Sequence, residues 1–387
     1  MQAGHSPELW AYDFLLAQYS RADDIVVNQS SLNLCLRATN HTVLEMDATR
    51  IAIVVLALAF VATPALAHVP AFPGDNTTPE RALAVPDAAK SWSFYDRLEP
   101  GQANYYRVSL EDGQRLRFGA FTPSSGEFTP SVVLMSKSSN RTDRVPSEVS
   151  VPEGMGAVVF EGERPDAATY EPFSPSVNYH TVSVEQTVEE DGVYLLAVYA
   201  PRNASGPVGV TIGYEEEFSP TEYLTVPFDL VRIHLWEGQH PLVVASPWLV
   251  TLVGTGVLLR VRRHDGWTRP VVRYGLTGAA ALVLGTALSA LVQMGIALSS
   301  IGPTAGMLLT AAFAAVPAVC GGWVLRFALR DDPVLWFRTR ICLAVAGAAS
   351  LVTWAGLIVG PAVILLIALV PTRWIEQSRD PERYSVE

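Results

Sequence analysis

Four apolar runs toward the C-terminal end, Pro241 to Leu259, Tyr274 to Leu298, Thr304 to Leu325 and Ile341 to Val370, constrain this chain more than any other feature. Each is long enough to cross a hydrocarbon core about 30 Å thick, and a backbone surrounded by lipid must satisfy its own hydrogen bonds, so the runs are expected as helices. The composition agrees: 49% of the 387 residues are apolar and mean hydropathy is +0.24, too hydrophobic for a purely soluble protein of this size. The expectation is an α-helical transmembrane bundle over 241–371 with four spans (241–259, 274–298, 304–325, 341–370), then a polar tail, 372–387.

Arginine placement orients these spans. The loop 260–273 carries Arg260, Arg262, Arg263, Arg269 and Arg273, and the loop 326–340 carries Arg326, Arg330, Arg338 and Arg340 against Asp331 and Asp332, whereas Ser299 to Pro303 has no charge. By the positive-inside rule both Arg loops are cytoplasmic, which puts the chain before Pro241 outside. The last run is awkward, because helix from Ile341 to Val370 would be about 45 Å long at 1.5 Å per residue. Gly360-Pro361 is expected to kink or break it. One tilted span leaves the tail outside and a re-entrant break leaves it inside with Arg373, Arg379 and Arg383; four spans with the tail outside is the expectation.

The spans lack the groups that move ions or protons. No Asp, Glu, Lys, Arg or His falls inside the second, third or fourth run, where Gln293 is the strongest polar group, and this argues against a pump or channel. Small residues recur at every fourth position, Thr277, Ala281, Gly285 and Ser289 in one run and Gly306, Thr310, Ala314, Ala318 and Gly322 in the next. Such stripes let helices approach closely, either within an anchor or at a docking face for another membrane protein.

A second topological signal lies at Met46 to Ala67. Arg50, the apolar stretch Ile51 to Val61 and the small-x-small site Ala65-Leu66-Ala67 read as a signal peptide. Residues 1–45 then read as a gene-start artefact; the alternative is an uncleaved anchor behind an N-terminal segment. Residues 218–240 precede the first span, and Tyr223, Leu224, Phe228, Leu230, Val231, Leu235 and Trp236 recur at helical spacing. This collar is expected as an interfacial helix with Pro227 in its first turn and Trp236 at headgroup level, or else as a linker.

The exported part is acidic: the whole chain has 38 Asp+Glu against 27 Lys+Arg, and acids dominate from Asp75 to Glu237, which argues against a nucleic-acid surface. The three cysteines, Cys35, Cys320 and Cys342, all lie outside it, so it must fold without a disulfide. Residues 68–90 open His68-Val69-Pro70-Ala71-Phe72-Pro73 and are expected as an extended arm. Short alternating or wholly apolar runs then follow at 91–98, 104–110, 115–122, 131–135, 157–161, 179–186, 193–199 and 208–214, separated by Pro-Gly, Asp-Gly and similar turn chemistry. This predicts an all-β sandwich over 91–217 with an insertion at 137–178. Tyr194 to Tyr199 is apolar on both faces and should be a central strand, with Phe118, Val132, Leu134 and Val210 as core neighbours.

Over 91–214 the segments Leu98-Glu99-Pro100-Gly101, Asn104-Tyr105-Tyr106-Arg107-Val108, Glu111-Asp112-Gly113-Gln114-Arg115-Leu116, Phe128-Thr129-Pro130-Ser131-Val132-Val133-Leu134 and Glu190-Asp191-Gly192-Val193-Tyr194-Leu195-Leu196-Ala197-Val198 resemble the bacterial pre-peptidase C-terminal (PPC) domain. The resemblance implies a jelly-roll-like β-sandwich. The chain departs from the family in having no attached peptidase and in its insertion, so an association with secreted hydrolases does not carry over.

No Gly-x-Ser-x-Gly elbow, His-Glu-x-x-His helix or Cys-His pair is present in the exported half, and no catalytic residue is assigned. The acidic run Glu215-Glu216-Glu217 reads as a solvated edge, there being no calcium loop to support a cation site. Asn76, Asn140 and Asn203 begin sequons and are either glycosylation sites or ordinary turns. Cleavage after Ala67 would expose a histidine, His68, whose α-amino group and imidazole can chelate one metal together, as in the copper brace of exported copper proteins. His180 is the best second ligand; His234 and His240 flank Trp236. The bland alternative is a chance histidine at the cleavage site and a surface His180, with no cofactor. Two functional expectations follow. One is a non-enzymatic β-sandwich displayed outside the cell on a multi-pass anchor, binding an envelope polymer or a partner membrane protein. The other is an accessory subunit of a membrane complex, with copper as its potential ligand.

Overall fold

The computed structural model describes residues 68–126, 128–137, 139, 143–201, 204–263, 270–331 and 333–371. The expected leader, the signal peptide and the tail 372–387 lie outside the described residues. A strand-rich region is followed by a helical one. The strands are β1 (Val69–Ala71), β2 (Leu83–Ala84), β3 (Trp92–Leu98), β4 (Ala103–Leu110), β5 (Arg115–Pro123), β6 (Ser131–Ser136), β7 (Gly156–Phe160), β8 (Thr169–Glu171), β9 (Ser176–Thr187), β10 (Gly192–Tyr199) and β11 (Gly206–Ile212). The helices are α1 (Pro220–Trp236), α2 (Pro241–Val261), α3 (Pro270–Ile301), α4 (Gly306–Ala328), α5 (Phe337–Val352) and α6 (Val359–Leu369).

All eight strands read from the sequence are present, and with β1, β2 and β8 they assemble into a six-stranded sheet ordered β1-β3-β11-β5-β9-β8 and a five-stranded sheet ordered β2-β4-β10-β6-β7. Side chains from both sheets form one core: Phe94, Phe118 and Val210 from the first meet Tyr106, Val132, Leu134, Leu196 and Val198 from the second. Burying each of these large side chains is worth about 1.5–3 kcal/mol before entropy is subtracted. β10 is central in its sheet, as its two apolar faces require: Tyr194, Leu196 and Val198 enter the shared core, while Leu195, Ala197 and Tyr199 enter a second cluster.

The expected arm is not a free segment. β1 pairs parallel to β3 and β2 parallel to β4, so residues 68–90 add a short edge to each sheet. Pro70 is tolerated there because an edge strand does not need every N–H for the ladder. The insertion is structured too: it supplies β7 and β8, and its segment around Val145, Val149 and Met155 covers the outer apolar face made by Tyr105, Met135 and Leu195.

α1 begins with a capping box, in which the Ser219 hydroxyl accepts from the Glu222 N–H while the Glu222 carboxylate accepts from the Ser219 N–H. Pro220, not Pro227, occupies the helix start, so the expected place of Pro227 in the first turn is corrected: it lies inside the helix. Leu224, Phe228 and Leu235 share one exposed face, 49%, 48% and 39% accessible, while Val226 and Ile233 are buried on the other.

α2, α3 and α4 are long and apolar enough to cross a membrane. The fourth run is not a single span, which corrects the four-span expectation. α5 ends at Val352; Trp354, Leu357 and Ile358 then adopt positive φ of 50°, 52° and 62°, and α6 returns beside α5. The Cβ that an alanine would add at Gly347 of α5 would touch Leu365 and Ile364 of α6. Arg340 at the start of α5 donates Nη1 to the carbonyl oxygens of Ala368 and Val370, 2.7 Å each, so both ends of the run lie together. Pro361 sits in the first turn of α6, where it forfeits no helical hydrogen bond. At the same end of the helical region, the fully buried Arg273 donates to the carbonyls of Ala328 (3.2 Å) and Asp331 (2.9 Å), satisfying the C-terminal end of α4.

The first small-residue stripe is consumed inside the helical region: Thr277, Ala281, Gly285 and Ser289 are all buried, and the indole of Trp248 lies against Gly285. The second is divided, with Thr310 and Ala314 buried and Gly322 facing open space.

Candidate functional site

The β-rich region is fastened to the helices along α1 and along the β8–β9 tip, and cavities lie in that seam. At one end of α1 the Trp236 indole N–H donates to the carbonyl of Asp96 in β3 at 2.6 Å, and its ring packs edge-on against Tyr95 and Phe121. Gly209 of β11 makes room for Phe121, whose ring occupies the place a β-carbon would take. At the other end of α1, Tyr223 OH donates to the carbonyl of Val352 at 2.8 Å, and the Trp354 indole donates to the carbonyl of Tyr223 at 3.0 Å. From the β8–β9 tip, Tyr170 OH and Thr310 Oγ1 of α4 are 2.7 Å apart, and Thr310 also donates to the Pro172 carbonyl at 2.9 Å. Tyr170 and Val177 pack with Ala297 and Met307 beneath them.

A small polar pocket of about 30 Å³ lies between the sheet and α1 and is lined by His68, Glu171 and His180, among others. The fold therefore brings His68 and His180 to one cavity. Burial, with the charge of nearby Arg117 and of His180, lowers the His68 pKa to about 4, and burial lowers that of His180. Both imidazoles are consequently neutral at pH 7, the form that binds metals. Burial also pushes the Glu171 carboxyl up to about 6, opposed by the Phe173 N–H and assisted by Glu216. His68 Nδ1, the nitrogen that would close a six-membered chelate ring with an α-amino group, is hydrogen-bonded to the Ser91 hydroxyl. Among the described residues no cluster of three or more His, Cys, Asp or Glu side chains is arranged to hold a metal ion.

The other histidines have structural partners. His234 is buried and pairs through Nδ1 with Glu237 at 3.0 Å, and His240 caps α2 by accepting from the Leu242 N–H at 3.2 Å. Asn76 is 3% accessible and donates its side-chain amide to Asp96 at 3.1 Å, so it is not the surface acceptor a glycan requires. Asn140 and Asn203 lie outside the described residues.

Two further cavities were not anticipated. An apolar chamber of about 100 Å³ is enclosed by Leu230 and Val231 of α1, Phe313 and Pro317 of α4, and Trp354 and Leu357 at the α5–α6 break. A wider vestibule of about 250 Å³ lies next to it, with polar groups of Ser124, Ser125, Ser176, Ser300, Glu237 and Gln239 on a wall that Val177, Ile296 and Ala297 complete. Pro175 and Gln293 line both. Gln293 is buried, and its amide bonds reciprocally with that of Gln239, at 2.7 and 2.9 Å, across the boundary between the two spaces. A lone glutamine in an apolar run is the one sequence signal that pointed here.

No protein-family model matches the chain, and comparison with curated proteins finds no match.

Proposed function

We propose that this chain is a membrane-anchored cell-surface protein: a β-sandwich, jelly-roll-like as its PPC resemblance implies, held outside the cell on an α-helical bundle as a non-enzymatic binding module. The observation that carries this reading is the double fastening of α1, which bonds to β3 through Trp236 and to the α5–α6 break through Tyr223. A domain fixed at both ends is presented at a set height and orientation. The exposed apolar face of α1, Leu224, Phe228 and Leu235, suits a helix lying in the headgroup layer. With the Arg loops 260–273 and 326–340 cytoplasmic, three spans put the β-domain outside and the α5–α6 hairpin re-enters from inside, which assigns the tail to the cytoplasm.

Cysteine labelling of the full-length protein in intact cells, in a background lacking the natural cysteines, tests the topology. Ser147→Cys should react with an impermeant maleimide and Arg263→Cys only after lysis. The reverse pattern would refute the orientation. Cross-linking through Ser147→Cys in native membranes should capture envelope polymer or a partner protein.

A second reading, copper binding through His68 and His180, is supported by their shared pocket and neutral rings. It requires His68 to leave Ser91. N-terminal sequencing of the mature protein, and Cu(II) titration beside a His68→Ala variant, decide it: cleavage away from Ala67, or equal copper affinity in both proteins, ends it.

A further inference from the structure

We propose that the apolar chamber and its polar vestibule together bind one membrane amphiphile, a lipid with an uncharged, hydroxyl-rich headgroup. The inference rests on the reading that α2, α3 and α4 cross a bilayer, and it adds a ligand to the site where the β-domain meets them. Three observations carry it.

The first is continuity of opposite chemistries. The chamber lies among the spanning helices and is walled mainly by aliphatic and aromatic side chains, while the vestibule beyond Gln293 adds four serine hydroxyls, two glutamine amides and one carboxylate to a wall it shares with Val177, Ile296 and Ala297. A molecule filling both must be apolar at one end and rich in hydrogen-bonding groups at the other.

The second is an unpartnered polar group in the chamber wall. The indole N–H of Trp248, which lines the chamber, is buried without an acceptor among the described residues. An unmade hydrogen bond in such surroundings costs about 1–3 kcal/mol, and an ester or hydroxyl oxygen entering the chamber would recover it.

The third is charge. Neither cavity wall contains Lys or Arg, and the ionisable side chains present, His234 and Glu237, are paired with each other. A phosphate headgroup would find no cation and would face the Glu237 carboxylate, so anionic phospholipid is disfavoured. Hydroxyl groups of a sugar-type head suit serine and amide partners without a charge.

The experiment uses full-length protein in mild detergent, with native mass spectrometry after incubation with a monoglucosyl diacylglycerol or a phosphatidylglycerol of identical chains. The glycolipid is expected to remain bound at a concentration about tenfold lower than the phospholipid. Ala290→Phe, which fills the chamber from α3, should weaken glycolipid retention about tenfold at unchanged helical content. Ser125→Lys places a cation on an exposed wall of the vestibule and should raise phosphatidylglycerol retention severalfold, a gain that misfolding cannot produce. Equal retention of the two lipids by the parent protein, undiminished glycolipid binding in a folded Ala290→Phe variant, or no shift of preference in Ser125→Lys would each overturn the proposal. Because these measurements are made in detergent, they do not depend on which side of the membrane the β-domain faces, and labelling at Ser147 and Arg263 judges that question separately.

Discussion

Trp354 donates its indole N–H to the carbonyl oxygen of Tyr223 at 3.0 Å, and that carbonyl is the one that Pro227, four residues along α1, leaves without a helical donor. Proline inside a helix removes the bond to the fourth residue before it. Here the vacancy becomes the acceptor by which the α5–α6 break is tied to α1, with the two rings 5.0 Å apart.

Pro227→Ala should therefore strengthen α1 while weakening its hold on the hairpin. The restored N–H competes with Trp354 for one acceptor, and losing a bond worth about 1 kcal/mol should speed amide exchange around residues 353–358 roughly fivefold. Hydrogen exchange followed by mass spectrometry reads this directly; unchanged exchange there would show the bond to be idle.

Arg340 closes the other end of the same hairpin. Replacing it with glutamine removes charge-assisted bonds to the Ala368 and Val370 carbonyls, at an expected cost of about 1.5–3 kcal/mol, seen as a lower thermal midpoint in detergent. On the proposed topology, Ser378→Cys should label from the same side as Arg263→Cys. Labelling from the side of Ser147→Cys would contradict the hairpin.

Gly209→Ala tests how the β-domain holds α1. A β-carbon there would lie 2.0 Å from the Phe121 ring, which packs on Trp236, so the ring must move. Overpacking of this kind costs about 1–3 kcal/mol. The expected result is a destabilised protein with Trp236 fluorescence shifted to the red, whereas Gly192→Ala, which meets open space, should be silent in both readings.

The His68 pocket gives stability a pH dependence with two opposed limbs. Folding lowers the His68 pKa from 6.5 to about 4, so the unfolded chain binds more protons in that window and stability is lost as pH falls through it, by about 3 kcal/mol in all. Folding raises the Glu171 pKa from 4.5 to about 6, so its burial costs stability as pH rises through that range. His68→Gln should flatten the acid limb, and Glu171→Gln should stabilise the protein by about 2 kcal/mol at pH 7. Thermal midpoints between pH 4 and 8 measure both.

Much of this architecture is legible in the chain because alternation and apolar length are local signals. Val193 to Tyr199 announces a central strand by being apolar on both faces, and the strands that alternate are all found. β1, β2 and β8 escaped because each is two or three residues long and β1 carries Pro70, so no period can be counted. The start of α1 was written in Ser219 and Glu222, a capping pair three residues apart, yet an apolar period that includes Pro227 draws the eye to the later proline. Gly360-Pro361 marked the broken run, but the chain turns earlier, at Trp354 to Ile358, where bulky residues adopt a backbone that sequence preference assigns to glycine. His68 and His180 were legible as a pair. The chamber was not, because its walls come from α1, α4 and the α5–α6 break, and only tertiary packing makes them neighbours.

The outermost strands have a consequence for life in a crowded plane. Proteins confined to a membrane meet their neighbours repeatedly in fixed orientation, conditions under which exposed sheet margins would zip copies together. Here the margins are β1 and β8 on one sheet and β2 and β7 on the other, from two to five residues long. Margins so short offer too few free backbone groups to template another chain. By ending both sheets in fragments, the residues ahead of β3 on one side and the insertion on the other leave neighbouring copies no long edge to pair with.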